Sequence, residues 1–144
     1  MKKINELKMT FDSRSVNESF SRVAVAAFAT QLDMTVEEMG DIKTVVSEAV
    51  TNCIVHAYRN TIGKIYITCT VFEEGVVRVK IRDKGCGIPD IEKAMEPLYT
   101  SLGGDRSGLG FSVMESFSDK LIVRSKVGMG TTVTIDKKIK GKLI

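Results

Sequence analysis

Two alternating, β-branched runs, Ile65-Tyr-Ile-Thr-Cys-Thr-Val-Phe72 and Val76-Val-Arg-Val-Lys-Ile-Arg82, are separated only by Glu73-Glu74-Gly75. So short a connection cannot carry a parallel crossover, so the pattern predicts an antiparallel hairpin with one buried face. A second pair, Lys120–Ser125 and Thr131–Lys137, is joined by Val127-Gly-Met-Gly130 and predicts a second hairpin. Residues 6–11 alternate polar with apolar and predict a further strand. Long segments of helical spacing lie between these strands. The chain is therefore expected to be α+β, a mostly antiparallel sheet covered on one face by helices.

The helices announce themselves by caps and stripes. Ser15-x-x-Glu18 has the form of a capping box, followed by Phe20, Val23, Ala24, Ala27 and Phe28 at helical spacing to about Leu32. Thr35-Val-Glu-Glu38 is a second capping box; Val36, Met39, Ile42, Val46, Val50, Cys53 and Ala57 then recur at steps of three or four, predicting a helix to about Tyr58. Residues 108–118 predict a third long helix. From Gly85 to Ser107 there are six glycines and prolines together and only one short helical stretch, around Ile91–Met95, which marks a functional loop or lid at about 88–107.

With 144 residues, one domain spanning 1–144 is expected, large enough to bury roughly two-thirds of its unfolded surface. The net charge is +3, with Lys2, Lys3, Lys137, Lys138, Lys140 and Lys142 at the two ends, and aromatics make up 6%. That is a poor fit to a surface that stacks and neutralises nucleic acid, so no direct nucleic-acid partner is expected. Cys53, Cys69 and Cys86 lack paired C-x-x-C spacing and read as reduced thiols rather than a zinc site or disulfide framework. No signal peptide and no run of about 18 apolar residues is visible, so a cytoplasmic protein without membrane partners is expected.

Four short patterns carry the chemistry. In Glu48-x-x-x-Asn52 a carboxylate and an amide stand one helical turn apart, bordering the apolar stripe with His56. One could accept a proton and the other ligate a hard cation, although a solvated helix flank looks the same. Asp83-x-Gly85-x-Gly87 ends a strand; its glycines would let a flat ring approach the backbone, and its acid could accept from the exocyclic amine of adenine. A plain turn remains the alternative. Arg106-Ser107-Gly108-Leu109-Gly110 opens a helix, where free N–H groups favour phosphate and Arg106 adds charge, or it is merely a glycine-rich helix entry. Gly128-x-Gly130-Thr131 either turns a hairpin or adds Thr131 to the base pocket. Neither a P-loop nor a full dinucleotide fingerprint is present. His56 reads as a core-edge residue rather than a phosphoacceptor.

The order and spacing of the four patterns resemble the GHKL ATPase/kinase superfamily. Asn17–Val23, Lys43–Tyr58, Ile81–Ile88 and Arg106–Phe111 resemble, more closely, the sporulation anti-sigma F factors. That resemblance implies a two-layer α/β sandwich of the Bergerat type, a homodimer, ATP and Mg²⁺ as cofactors, and two competing partners. These are the sporulation sigma factor F, held inactive, and an anti-anti-sigma protein phosphorylated on serine. Carried over by motif, Glu48 is the general base, Asn52 the Mg²⁺ ligand and Asp83 the adenine reader. Gly85, Gly87 and Thr131 shape the base pocket, Arg106, Ser107, Gly108, Leu109 and Gly110 bind phosphates, and Arg22 lies on the partner surface. Ser101–Asp105 departs from the resemblance, which implies a more charged stretch with a lysine there. Two other readings stay open: an ATP-gated sigma sequestrant without phosphotransfer, and the sibling kinase of a general-stress sigma factor.

Overall fold

In a computed structural model, residues 1–96 and 110–141 are described. The elements run β1 (Lys3–Asp12), α1 (Val16–Ala29), α2 (Val36–Asn52), β2 (Lys64–Phe72), β3 (Val76–Asp83), α3 (Ile91–Met95), α4 (Gly110–Ser116), β4 (Lys120–Lys126) and β5 (Gly130–Lys138), with a π-helical turn, Cys53–Ala57, continuing α2. The five strands form one antiparallel sheet in the order β1-β2-β3-β5-β4. Both predicted hairpins are present, and β3 occupies the centre of the sheet, paired to β2 and β5.

Alternation sorts the strand residues. Ile65, Ile67, Cys69, Val71, Val77, Val79, Ile81, Val133 and Ile135 all point to one face and are buried there. Against them lie Val25 and Ala29 of α1 and Ile42, Val45, Val46, Ala49 and Val50 of α2. Helix α2 is the middle element of the helical layer, packed between α1 and α4 and against β3. The fold is thus the expected α+β sandwich, a sheet with helices on one face.

The other face is open, and register gathers charge on it. Across the strands, Lys8 stands beside Thr68, Thr68 beside Lys80 and Lys80 beside Thr134, while Arg82 and Arg124 flank Thr132. Basic side chains are therefore concentrated here as well as at the termini, which the linear charge pattern did not show. Arg78 and Asp136 form a two-pronged ion pair on this face, at 2.7 and 2.9 Å.

Three local expectations are corrected. Ser15 has helical backbone angles and its side chain caps nothing: Glu18 N–H donates to Ser15 O at 3.2 Å, and the Glu18 carboxylate is engaged by Arg22 of its own helix and by the Ser47 hydroxyl of α2. Helix α2 does not continue as a regular α-helix to Tyr58 but widens into a π turn at Cys53. The third long helix, expected over 108–118, is the shorter α4 within the described residues. The capping box at Thr35 is present in both directions: Thr35 Oγ1 accepts from Glu38 N–H at 3.0 Å, and Thr35 N–H donates to the Glu38 carboxylate at 2.9 Å.

Candidate nucleotide site

The site lies where the C-terminal end of α2, the end of β3 and the β4–β5 hairpin meet. Asn52, Asp83, Gly87, Gly110 and Thr131 line one cavity, together with Cys53, His56, Cys86, Ile88, Phe111 and Val133. Five of the residues singled out by sequence are thus brought together from four separate segments. Gly85 stands directly behind the wall, and Glu48 is adjacent: a Cβ on Gly110 would sit 3.4 Å from Glu48 Oε2 and 3.2 Å from the Asn52 amide. Arg106, Ser107, Gly108 and Leu109 lie outside the described residues, as does most of the lid expected at 88–107. Arg22 is remote from the cavity, on α1. It is paired to Glu18 at 2.8 Å, and Glu18 in turn accepts from Ser47, the neighbour of Glu48.

Asp83 is the buried acid of the pocket, 5% exposed. Its Oδ1 accepts from Gly85 N–H at 2.9 Å and Thr131 N–H at 3.2 Å, so one oxygen is fully engaged by backbone. Among the described residues Oδ2 receives only the Cys53 thiol at 3.5 Å, a weak donor, and keeps acceptor capacity for a ligand. Burial pushes the Asp83 carboxyl above the usual carboxylate range, against the lowering effect of these three donors. Burial, and then the neighbouring Asp83 charge, pushes the Cys53 thiol well up, so it remains a protonated donor.

The glycines are where the chain makes its closest approaches. A Cβ on Gly85 would fall 2.4 Å from Ala57 O, and one on Gly87, whose φ is +78°, would fall 2.3 Å from Lys126 O. The loop between them is strung across the pocket. Cys86 N–H donates to Ala57 O at 3.1 Å, Gly128 N–H donates to Cys86 O at 2.8 Å, and Ile88 N–H donates to Ser125 Oγ at 2.7 Å. Ser125 also bonds the Thr131 hydroxyl at 2.7 Å, which fixes Thr131 against Asp83.

Sequence reasoning missed Ser125, Cys53, Tyr58 and Phe111 as parts of this site. Cys53 carried a structural signal only as a member of the helical stripe, which assigned it to the core, and Tyr58 only as the expected end of that helix. Among the described residues no cluster of three or more His, Cys, Asp or Glu could hold a metal unaided, and no helix is long and apolar enough to cross a membrane. The chemistry of the donors fits an adenine nucleotide: a buried acceptor at one end, glycine-lined walls, and an amide with a carboxylate at the other.

Comparison with known proteins agrees. Residues 10–137 match the sequence model of the histidine kinase-like ATPase domain. The chain is 53% identical to an anti-sigma F factor of Geobacillus kaustophilus, covering 94% of this chain and 93% of the relative. It is 51% identical to an anti-sigma F factor of Clostridium acetobutylicum, covering 93% and 94%. Among solved structures, that of the RsbU and RsbW domains of a Mycobacterium tuberculosis protein superposes with a TM-score of 0.70 at 18% identity, over 98% of this chain and 35% of the other. The catalytic domain of the histidine kinase ThkA superposes with a TM-score of 0.57 at 19% identity, over 94% and 99%. These two likenesses concern the fold.

Proposed function

Because this chain belongs to the histidine kinase-like ATPase domain family and, within it, to the anti-sigma F factors, we propose that it is an ATP-dependent serine kinase that also holds a sporulation sigma factor inactive. Its phosphoryl acceptor is an anti-anti-sigma protein, and it works as a homodimer. The observation that carries this reading is the convergence of Asp83, Thr131, Asn52 and Gly110 on one cavity with Glu48 beside it.

Bound Mg·ATP would supply the γ-phosphoryl group and neutralise charge on it. The residues of this chain position that group and manage one proton. Asp83 accepts from the adenine amine, which favours adenine over guanine, whose ring presents a carbonyl there. Gly85 and Gly87 shape the base pocket by letting the loop pack directly on Ala57 O and Lys126 O, and Thr131 lines it. Asn52 offers its amide oxygen to the cation, and the segment Arg106–Gly110 offers phosphate contacts. Glu48, as general base, takes the proton of the partner's serine hydroxyl as that oxygen forms its bond to phosphorus and the bond to the ADP oxygen breaks. Arg22 presents the partner-binding surface; its carboxylate partner Glu18 is tied through Ser47 to the helix that carries Glu48.

General-base assistance is worth roughly 10²–10⁴-fold in rate. Intact-mass spectrometry of the cognate anti-anti-sigma protein, incubated with this chain and Mg·ATP, is therefore expected to show one added phosphate with wild type. Glu48→Gln should show almost none while still binding ATP, and Asn52→Ala should lose both binding and transfer. No added mass despite ATP binding by wild type would leave a nucleotide-gated sequestrant instead of a kinase.

A further inference from the structure

Helix α2 abandons the α pattern where the nucleotide pocket begins. Tyr58 N–H donates to Cys53 O, five residues back, at 3.0 Å, and three groups, on Cys53, Ala57 and Tyr58, reach the end of β3 and the loop after it. Cys53 Sγ–H reaches Asp83 Oδ2 at 3.5 Å. Ala57 O accepts from Cys86 N–H at 3.1 Å. The Tyr58 hydroxyl accepts from Lys84 N–H at 2.6 Å and donates to Lys64 O at 2.6 Å, bridging the start of β2 to the residue that follows β3. Asp83, Lys84 and Cys86 are thus each held from this one turn.

The seat of Tyr58 is closely built. The residue is 7% exposed, and a Cβ on Gly63 would fall 2.3 Å from its ring. A ring so confined has little freedom to redirect its hydroxyl. Cys53 is 4% exposed, and among the described residues its thiol is the only side-chain donor to Asp83, the other two being backbone N–H groups. Losing it would let Oδ2 turn away from the cavity, whereas a serine hydroxyl at the same place would supply a stronger donor.

We propose that the π turn Cys53–Ala57 is a clamp that sets the adenine reader, with Cys53 and Tyr58 as positioning residues that determine discrimination in favour of a 6-amino purine. This rests on the nucleotide reading above and extends it from the acid that touches the base to the residues that hold the acid in place. Neither residue touches reacting atoms; Cys53 acts through Asp83 and Tyr58 through Lys84, the residue that follows it.

The test is the ratio of affinities for Mg·ATP and Mg·ITP, which differ at the purine 6-position, measured by equilibrium titration beside thermal melting. Wild type is expected to prefer ATP by on the order of tenfold or more, the loss of one hydrogen bond to a charged acceptor. Tyr58→Phe keeps the ring but orphans Lys84 N–H, and Cys53→Ala removes the side-chain donor; each should shrink the ratio by roughly threefold or more. Cys53→Ser should restore it. Variants that melt lower yet keep the wild-type ratio would overturn the clamp, leaving the turn a packing feature. Should Tyr58→Phe not fold, the Cys53→Ala and Cys53→Ser pair decides on its own: an unchanged ratio in both overturns the proposal. Wild type that binds neither nucleotide would overturn the nucleotide reading itself, and the clamp with it.

Discussion

The two ends of helix α2 are made by different physics. At its N-terminus, Thr35 and Glu38 satisfy each other's backbone donors within four residues, and Glu38 additionally accepts from Lys140 and Gly141 N–H at 2.7 and 3.3 Å. At its C-terminus the helix widens, and its last turn is held by partners about 30 residues distant, Asp83 and Cys86. The first end has a regular local cap to which two distant backbone donors are added; the second is irregular and lines the cavity. A helix end that must meet a ligand site gives up the regular pattern, while the end that only has to start the helix keeps it.

That contrast can be broken most forcefully from the hairpin side. A Cβ on Gly130, where φ is +115°, would lie 2.1 Å from Asp83 O. Gly130→Ala is therefore expected to cost about 2–4 kcal/mol of stability and to abolish ATP binding. Urea unfolding and nucleotide titration on one preparation check both, and a fully stable variant with intact binding would show that the β4–β5 hairpin does not buttress the acid.

A smaller effect should follow pH. Burial raises the Asp83 carboxyl, so the folded state holds that proton more tightly than the unfolded chain. On this group's account alone, stability is greatest when the carboxyl is protonated and declines as pH rises through the raised value. Base reading runs the opposite way, since a protonated acid cannot accept from the amine through that oxygen. The ATP to ITP affinity ratio should therefore decline on acidification, at a higher pH than an ordinary aspartate would give. Phosphate titration is common to both nucleotides and cancels. Asp83→Asn should show a small, flat ratio over the same range.

At the N-terminal end the expected losses are structural only. Thr35→Ala should cost about 1 kcal/mol in chemical unfolding, with nucleotide affinity unchanged. Ser15→Ala should change stability by less than about 0.5 kcal/mol, because the Ser15 side chain caps nothing. A full-sized loss at Ser15 would restore the box that the sequence pattern suggests.

Ser15 and Thr35 also show how far a sequence can be read here. Both stand three residues before a glutamate, and the pattern treats them alike. Glu38 keeps its bonds to Thr35 while also accepting from Lys140 and Gly141, whereas Glu18 is drawn to Arg22 and Ser47, the latter 29 residues away, and a local rule cannot see that difference. The strands, both hairpins and the order of helices were legible because alternation and short glycine turns act locally. Glu48, Asn52, Asp83 and Thr131 were legible as a set through spacing and resemblance, and the cavity gathers three of them with the fourth beside it. The π turn was not legible: Cys53 and Ala57 keep helical spacing, and the turn's partners, Asp83 and Cys86, lie about 30 residues away. The basic open face was hidden for a similar reason, since Lys8, Lys80 and Arg124 become neighbours only through strand register.

The most direct measurement is an amide NMR titration of the intact chain with Mg·ATP. Large shifts are expected at Asn52, Cys53, Gly85, Cys86, Gly87 and Thr131, with Val36, Glu37 and Glu38 at the other end of the same helix almost unmoved. Shifts confined to the open sheet face or to the N-terminal end of α2, with the Asp83 loop silent, would contradict the placement of the nucleotide.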